Sequence, residues 1–150
     1  MGIPKSVTTI SKDGNVVYTQ SVDRVNYTIR ELTRAALRDV GKFVCKQFRN
    51  SYYAQFKKKS GRVGRFTQYW VKYKQKDIEL QVGMKLNAFY GGYQELGTSQ
   101  TPKHALLTHA VQDNIAKIVE IESQYLSALE DEARALSLIS EEDYEGGADG

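Results

Sequence analysis

Two hydrophobic periods organise the chain. From about Ser21, apolar side chains recur at three- and four-residue spacing. Val25, Ile29, Leu32, Ala36, Val40, Phe43 and Val44 define one stripe, and Arg24, Arg30, Arg34, Arg38 and Lys42 fall mostly off it. That is the helical period, and it predicts a long amphipathic helix running to the Tyr52-Tyr53 region. Gly41 lies inside it, costs about 1 kcal/mol relative to alanine, and is read as a bend. Upstream, Val7–Ile10 and Val16–Thr19 flank Lys12-Asp13-Gly14-Asn15. Short β-prone runs around Asp-Gly predict a hairpin.

The period switches to two after the helix. Phe66–Lys74 alternates aromatic and β-branched residues with polar ones, and Ile78–Met84 alternates more strictly, with Gln75-Lys76-Asp77 between them. Two antiparallel strands are expected, and Ala88 to Leu96, broken by Gly91-Gly92, reads as a third, less regular strand carrying Glu95. Thr101-Pro102 then reads as a helix start, threonine as N-cap and proline at the first helical position. Its stripe runs through Leu106, Leu107, Ala110, Val111, Ile115, Ile118, Tyr125, Leu129, Ala133 and Leu136. A helix that long, roughly 50 Å, either breaks or projects beyond the core. The expected fold class is α+β: a small, mainly antiparallel sheet packed with a long N-terminal and a long C-terminal helix. Residues 1–139 read as one domain, and 140–150, acidic and glycine-rich, as a disordered tail.

Composition narrows the class. A 150-residue chain that is 41% hydrophobic and 26% charged suits one soluble globular domain. One cysteine, Cys45, excludes an internal disulfide framework. No apolar run approaches the roughly 20 residues of a membrane span, and Met1–Ser6 lacks the apolar stretch of a secretory signal, which predicts a chain made in the cytosol. Charge is informative once located. Residues 1–112 carry 19 Lys/Arg against 7 Asp/Glu, a net of +12, and residues 113–150 carry 2 against 11, a net of −9. Such polarity fits binding to nucleic acid or stacking against copies of the same chain, and the second is favoured.

Catalytic motifs are missing from the sequence. His104 and His109 are five residues apart and would not share a helix face, while Cys45 falls within a helical apolar pattern. There is no phosphate-binding Gly-Lys-Ser/Thr loop and no dinucleotide fingerprint, and Glu141-Glu142 lies in the tail. The reading is a non-enzyme without cofactor or metal. Lys57, Lys58, Lys59, Arg62 and Arg65 mark an exposed, mobile basic loop and are the candidate contacts to a partner or to DNA. Gly61-Arg62-Val63-Gly64 is a GxxG, the backbone clamp of KH domains. There it joins two helices, whereas here a helix precedes and a strand follows. Tyr52, Tyr53, Tyr69, Trp70 and Tyr73 interleave with lysines nearby, a pattern open to base stacking or to ordinary packing.

The most informative segment runs from Tyr90 to Leu107. It resembles the signature of a tailed-bacteriophage family of tail-completion or head–tail joining (neck) proteins. In that family an aromatic-rich strand ends in Glu-aromatic/aliphatic-Gly-Thr, followed by a short spacer, a proline and a helix that opens with apolar residues. Tyr93, Glu95, Leu96, Gly97, Thr98, Pro102, Leu106, Leu107 and Ala110 match that pattern, and the element order agrees over about residues 22–130. Ala105 stands where a second proline is usual, and His104 where arginine is common. The resemblance implies a structural virion protein at the head–tail junction, assembled in the host cytoplasm. Its copies would form a ring, by resemblance a hexamer. That ring would meet head-completion or connector proteins on one side and the tail tube or tail terminator on the other, with DNA passing through the lumen and no membrane involved. Glu95, Gly97, Thr98 and Pro102 are then expected to fix the turn that presents the subunit interface. The alternatives are the tail terminator of the same assembly and a nucleic-acid-binding protein that uses the 57–65 loop.

Overall fold

The computed structural model describes residues 4–5, 7–10, 17–57, 62–74 and 76–145. The fold is α+β and about 66% helical, so the strands are a minor component. The chain divides into two compact units, Met1–Ala35 with Tyr125–Gly150, and Ala36–Gln124.

The first unit contains the hairpin read from the sequence. Strand β1 (Val7–Ile10) pairs antiparallel with β2 (Val17–Gln20), with Val7 opposite Gln20 and Ile10 opposite Val17. The Lys12–Asn15 turn lies outside the described residues. Helix α1 (Val22–Phe56) is continuous over 35 residues and begins in this unit. Leu32 and Ala35 are buried there, while Val25 and Ile29 of the expected stripe are exposed.

Residues 36–56 of α1 are the spine of the second unit. Val40, Val44, Phe48 and Tyr52, at spacings of four, form a core with Val63, Ala88 and Ala110. Helix α2 (Arg62–Arg65) is one turn, and β3 (Thr67–Lys72) pairs antiparallel with β4 (Glu79–Met84). Tyr69 lies opposite Val82, and Lys72 opposite Glu79. Gln75 of the expected connecting turn lies outside the described residues. Leu80, Val82 and Met84 pack against the core, as the strict alternation of that strand requires.

The third expected strand is absent: residues 86–96 are helical. A 3-10 turn at Leu86–Ala88 leads into α3 (Gly91–Leu96), so Glu95 sits on a helix. Ala88 is fully buried, and Phe89 stacks edge-on against Tyr90 and Tyr93 at 6.0 and 6.1 Å. With five of the nine residues from Ala88 to Leu96 aromatic or aliphatic and two glycines between them, this stretch has no strict period, and packing decided it.

The long last helix breaks twice. Helix α4 (Leu106–Gln112) ends in a turn at residues 113–114, where Asn114 Nδ2 donates to the Ala110 carbonyl at 3.0 Å. Helix α5 (Ile115–Ser127) runs into a 3-10 turn, Ala128–Glu130, and α6 (Glu132–Glu145) follows. Asp131 is extended, and its Oδ1 accepts from the Ala133 and Arg134 amides at 3.0 and 3.3 Å, which caps α6. The acidic tail expected from residue 140 is therefore helical through Glu145, and 146–150 lie outside the described residues.

Gly41 does not interrupt α1. A Cβ there would stand 2.6 Å from Cγ and Cδ2 of Tyr69 and 2.9 Å from its Cβ, so the glycine lets β3 approach the helix. Gly41→Ala gains about 1 kcal/mol of helix propensity and incurs overpacking of about 1–3 kcal/mol. We expect a net loss near 1 kcal/mol in urea denaturation; a more stable alanine variant would refute the close approach.

Candidate interaction site

Helix α3 ends at Gly97, whose φ of 77° is open to glycine and strained for other residues. The Gly97 amide donates to the Tyr93 carbonyl at 2.8 Å, closing the helix. A Cβ at Gly97 would meet Lys103 backbone atoms at 3.1 Å. The chain then loops back. Thr98 donates its amide to the Thr101 carbonyl at 2.8 Å, and its Oγ1 accepts from the amides of Thr101 and Gln100 at 3.0 and 3.3 Å. The loop closes at its neck, where the His104 amide donates to the Gln94 carbonyl at 2.8 Å.

Glu95 joins the two ends. Its Oε2 accepts from the Leu107 amide at 2.9 Å, and its Oε1 from the Thr108 amide at 2.8 Å and the Thr108 hydroxyl at 2.7 Å. These are the second and third amides of α4, which intrahelical bonds leave unpaired. The N-cap residue itself, Ala105, has no polar side chain and sits at φ 49°, so Glu95 caps the helix from twelve residues away. Its negative charge also faces the positive end of the α4 dipole.

Three expectations change here. Pro102 does not begin a helix: it lies exposed in irregular chain, and α4 starts at Leu106. A proline is compatible with either state. The bond from His104 to Gln94 and the left-handed Ala105 postpone the helix, and a proline at 105 could not take that positive φ. Glu95 acts from a helix rather than a strand. The basic segment is only partly a free loop. Lys57 is exposed at φ 50° and terminates α1; Lys58 and Lys59 lie outside the described residues; Arg62 and Arg65 fall in α2, and Arg65 is exposed, 5.8 Å from the Phe66 ring centre. Between those two arginines, Val63 is 1% exposed and belongs to the core. Arg49 secures this part, donating from Nε to the Gly64 carbonyl at 3.0 Å and from Nη2 to the Thr67 carbonyl at 2.7 Å. The GxxG thus supplies a core anchor. The structure brings Glu95, Gly97, Thr98 and Pro102 into one turn.

Behind the turn is a cleft lined by Phe48, Tyr52, Gln94, Glu95 and His104 among others. It holds about 170 Å³, solvent at its mouth included. Burial pushes the Tyr52 hydroxyl above its ordinary value of 10.0; a hydrogen bond from Gln94 pulls it back, and Tyr90 and Tyr53 add smaller upward pushes. His104 Nδ1 lies 3.3 Å from Gln55 Nε2, which donates to it, and the ring meets Phe56 edge-on at 5.1 Å. Cys45 is buried and in no disulfide. Among the described residues no group of three or more His, Cys, Asp or Glu could hold a metal ion, and no helix is long and apolar enough to cross a membrane.

Sequence reasoning missed the exposed apolar face beside this turn. Leu86 is 90% exposed, Leu96 76% and Phe89 66%, and Tyr93 is also exposed. The signal was present, since an i, i+3 pair of Tyr93 and Leu96 flanks Glu95 on a helix. Arg49 and Gln94 carried no signal, because their partners lie in other elements. No family model, curated protein or solved structure matches this chain.

Glu95→Ala is expected to lower stability by about 0.5–2 kcal/mol, the range for a lost helix cap, with amide exchange at Leu107 and Thr108 rising selectively in NMR. Unchanged exchange there would exclude the cap. The raised Tyr52 pKa has a definite sign: the folded state holds the phenolic proton longer than the unfolded one. Its contribution to stability is therefore complete below about pH 10 and is lost as pH rises through the folded value. Tyr52→Phe should flatten that alkaline decline in urea melts; an identical decline would assign it to other groups.

Proposed function

We propose that the chain is a structural virion protein of a tailed phage, a neck or tail-completion protein whose copies form a ring that joins the tail to the DNA-filled head. The observation that carries this reading is the unity of the segment that bears the family resemblance. Glu95, Gly97 and Thr98 each bind the turn between α3 and α4, and beside that turn stand the exposed Leu86, Phe89, Tyr93 and Leu96. A rigid turn presenting an apolar face suits a permanent contact between subunits better than turnover of a substrate.

Charge supports the same reading. Residues 1–112 carry a net +12 and residues 113–150 a net −9, so copies can meet with opposite signs opposed. Contacts between two different surfaces close into rings when the rotation per subunit closes. The resemblance points to six copies, to head-completion or connector proteins and the tail tube or terminator as neighbours, and to DNA crossing the lumen without sequence-specific contacts. The tail terminator is the neighbouring role in the same assembly. Lys57, Lys58, Lys59, Arg62 and Arg65 are the contacts assigned to a partner or to DNA.

A second reading rests on β3. Trp70 and Tyr73 are partly exposed beside exposed Lys72 and Lys74, the aromatic and basic mixture on which single-stranded nucleic acid stacks. It requires affinity that falls steeply with salt.

Antibody labelling of purified tailed particles under the electron microscope tests the first reading. Label at the head–tail junction is the expected outcome. Intact tailed particles that lack the protein would sink it and promote salt-dependent nucleic-acid binding.

A further inference from the structure

Resting on the ring reading, we propose which two surfaces meet: the face of Leu86, Phe89, Tyr93 and Leu96 on one copy docks against the face of Val111, Ile115 and Val119 on the next. All seven side chains are exposed. Both sets belong to the second compact unit and share no residue.

The charges around the two faces are opposite. Lys85 precedes the first face in the chain and Lys103 packs beside Gly97, and both are exposed. The one acidic residue between them, Glu95, has both carboxylate oxygens occupied by α4 and the Thr108 hydroxyl. What remains toward solvent is positive. The stretch from Val111 to Glu122 that bears the second face holds Asp113, Glu120 and Glu122 against a single lysine, and Lys117 is tied to Glu120 at 2.9 Å. What remains there is negative.

This sign pattern selects the mode of association. Joining two copies through the same face would oppose Lys85 and Lys103 to their own copies, or three carboxylates to three. Joining unlike faces covers apolar surface on both sides and pairs the rims. Each copy then keeps one free face of each kind, so growth continues until a ring closes. The aromatic members suit the role, since exposed Phe and Tyr bury large area at small entropic loss.

The test is sedimentation velocity on the full chain in a concentration series up to about 1 mM. Assembly past the dimer, weakened by salt, is expected. Phe89→Asp with Leu96→Asp breaks the first face, and Ile115→Lys with Val119→Lys breaks the second. Each should weaken self-association by about 30-fold or more, the loss of a central contact, with the circular dichroism spectrum unchanged. Mixed in equal amounts, the two variants should form one-to-one dimers and nothing larger, because each retains the face its partner needs. Should either variant misfold, Lys85→Glu with Lys103→Glu alters only exposed charges and must weaken assembly likewise. A monomeric wild-type chain throughout the series, a variant that assembles like wild type, or a mixture that stays monomeric would each overturn the proposal. Label at the head–tail junction with a monomeric pure chain defeats this inference alone, whereas head-to-tail assembly of a chain absent from virions defeats the neck reading alone.

Discussion

A carboxylate placed 2.7 to 2.9 Å from two amides and a hydroxyl makes the second half of the central unit a single body. Glu95 leaves α3 near its C-terminal end and closes the N-terminal end of α4, so neither helix can move without exposing unpaired groups. Six- and seven-residue helices do not persist alone in water, because nucleation costs more than so few bonds return. Here each is held by the other. Gly97 and Thr98 serve the same end, the first by taking a φ of 77° and the second by satisfying the amides of a tight loop. The apolar side chains of Phe89, Tyr93 and Leu96 are thereby presented on a fixed frame, which is what a contact surface needs if little entropy is to be lost on docking.

A second junction, centred on a cation, ties α1 to α2 and β3. Arg49 reaches across to the carbonyls of Gly64 and Thr67, and the Thr67 hydroxyl returns to the Val63 carbonyl at 2.6 Å. Three polar contacts and one buried valine turn the last part of a basic stretch into the start of β3. A lysine-rich segment is therefore not one functional object: Lys57 closes a helix, whereas Arg62 and Arg65 ride on an anchored turn. Lys57 and Arg65 are exposed, so substitutions there report on contact.

Much of the fold was legible from the sequence because it depends on local period. The first helix and the β3–β4 pair follow from spacings of three to four and of two, the N-terminal hairpin from β-prone runs around Asp-Gly, and Val40 and Val44 of the helix stripe with Leu80 and Val82 of β4 supply core contacts. The site was legible in part. Glu95, Gly97 and Thr98 do share one turn, and glycine at a helix end followed by small hydroxyl residues is a local signal. The wrong secondary structure came with them. Thr101-Pro102 offered a sound cap by local rules, yet the helix starts at Leu106, since the anionic cap arrives from a distant residue that no local rule includes.

Sequence by itself determined the period of each long element, the hairpin pairings, the glycine at the turn and the opposition of a basic body to an acidic end. These are properties of nearest neighbours and of charge counts, which survive without knowledge of what lies across the core. Tertiary structure decided that residues 86–96 coil into helix, that Gly41 makes room for Tyr69, that Val63 is core rather than loop, and that the last helix breaks at residues 113–114 and Asp131. In each of these the deciding contact joins groups remote in sequence or caps a helix against its own periodic pattern. Local propensities differ by about 1 kcal/mol, and a buried ring, a bidentate arginine or a carboxylate on two helix amides is worth at least as much.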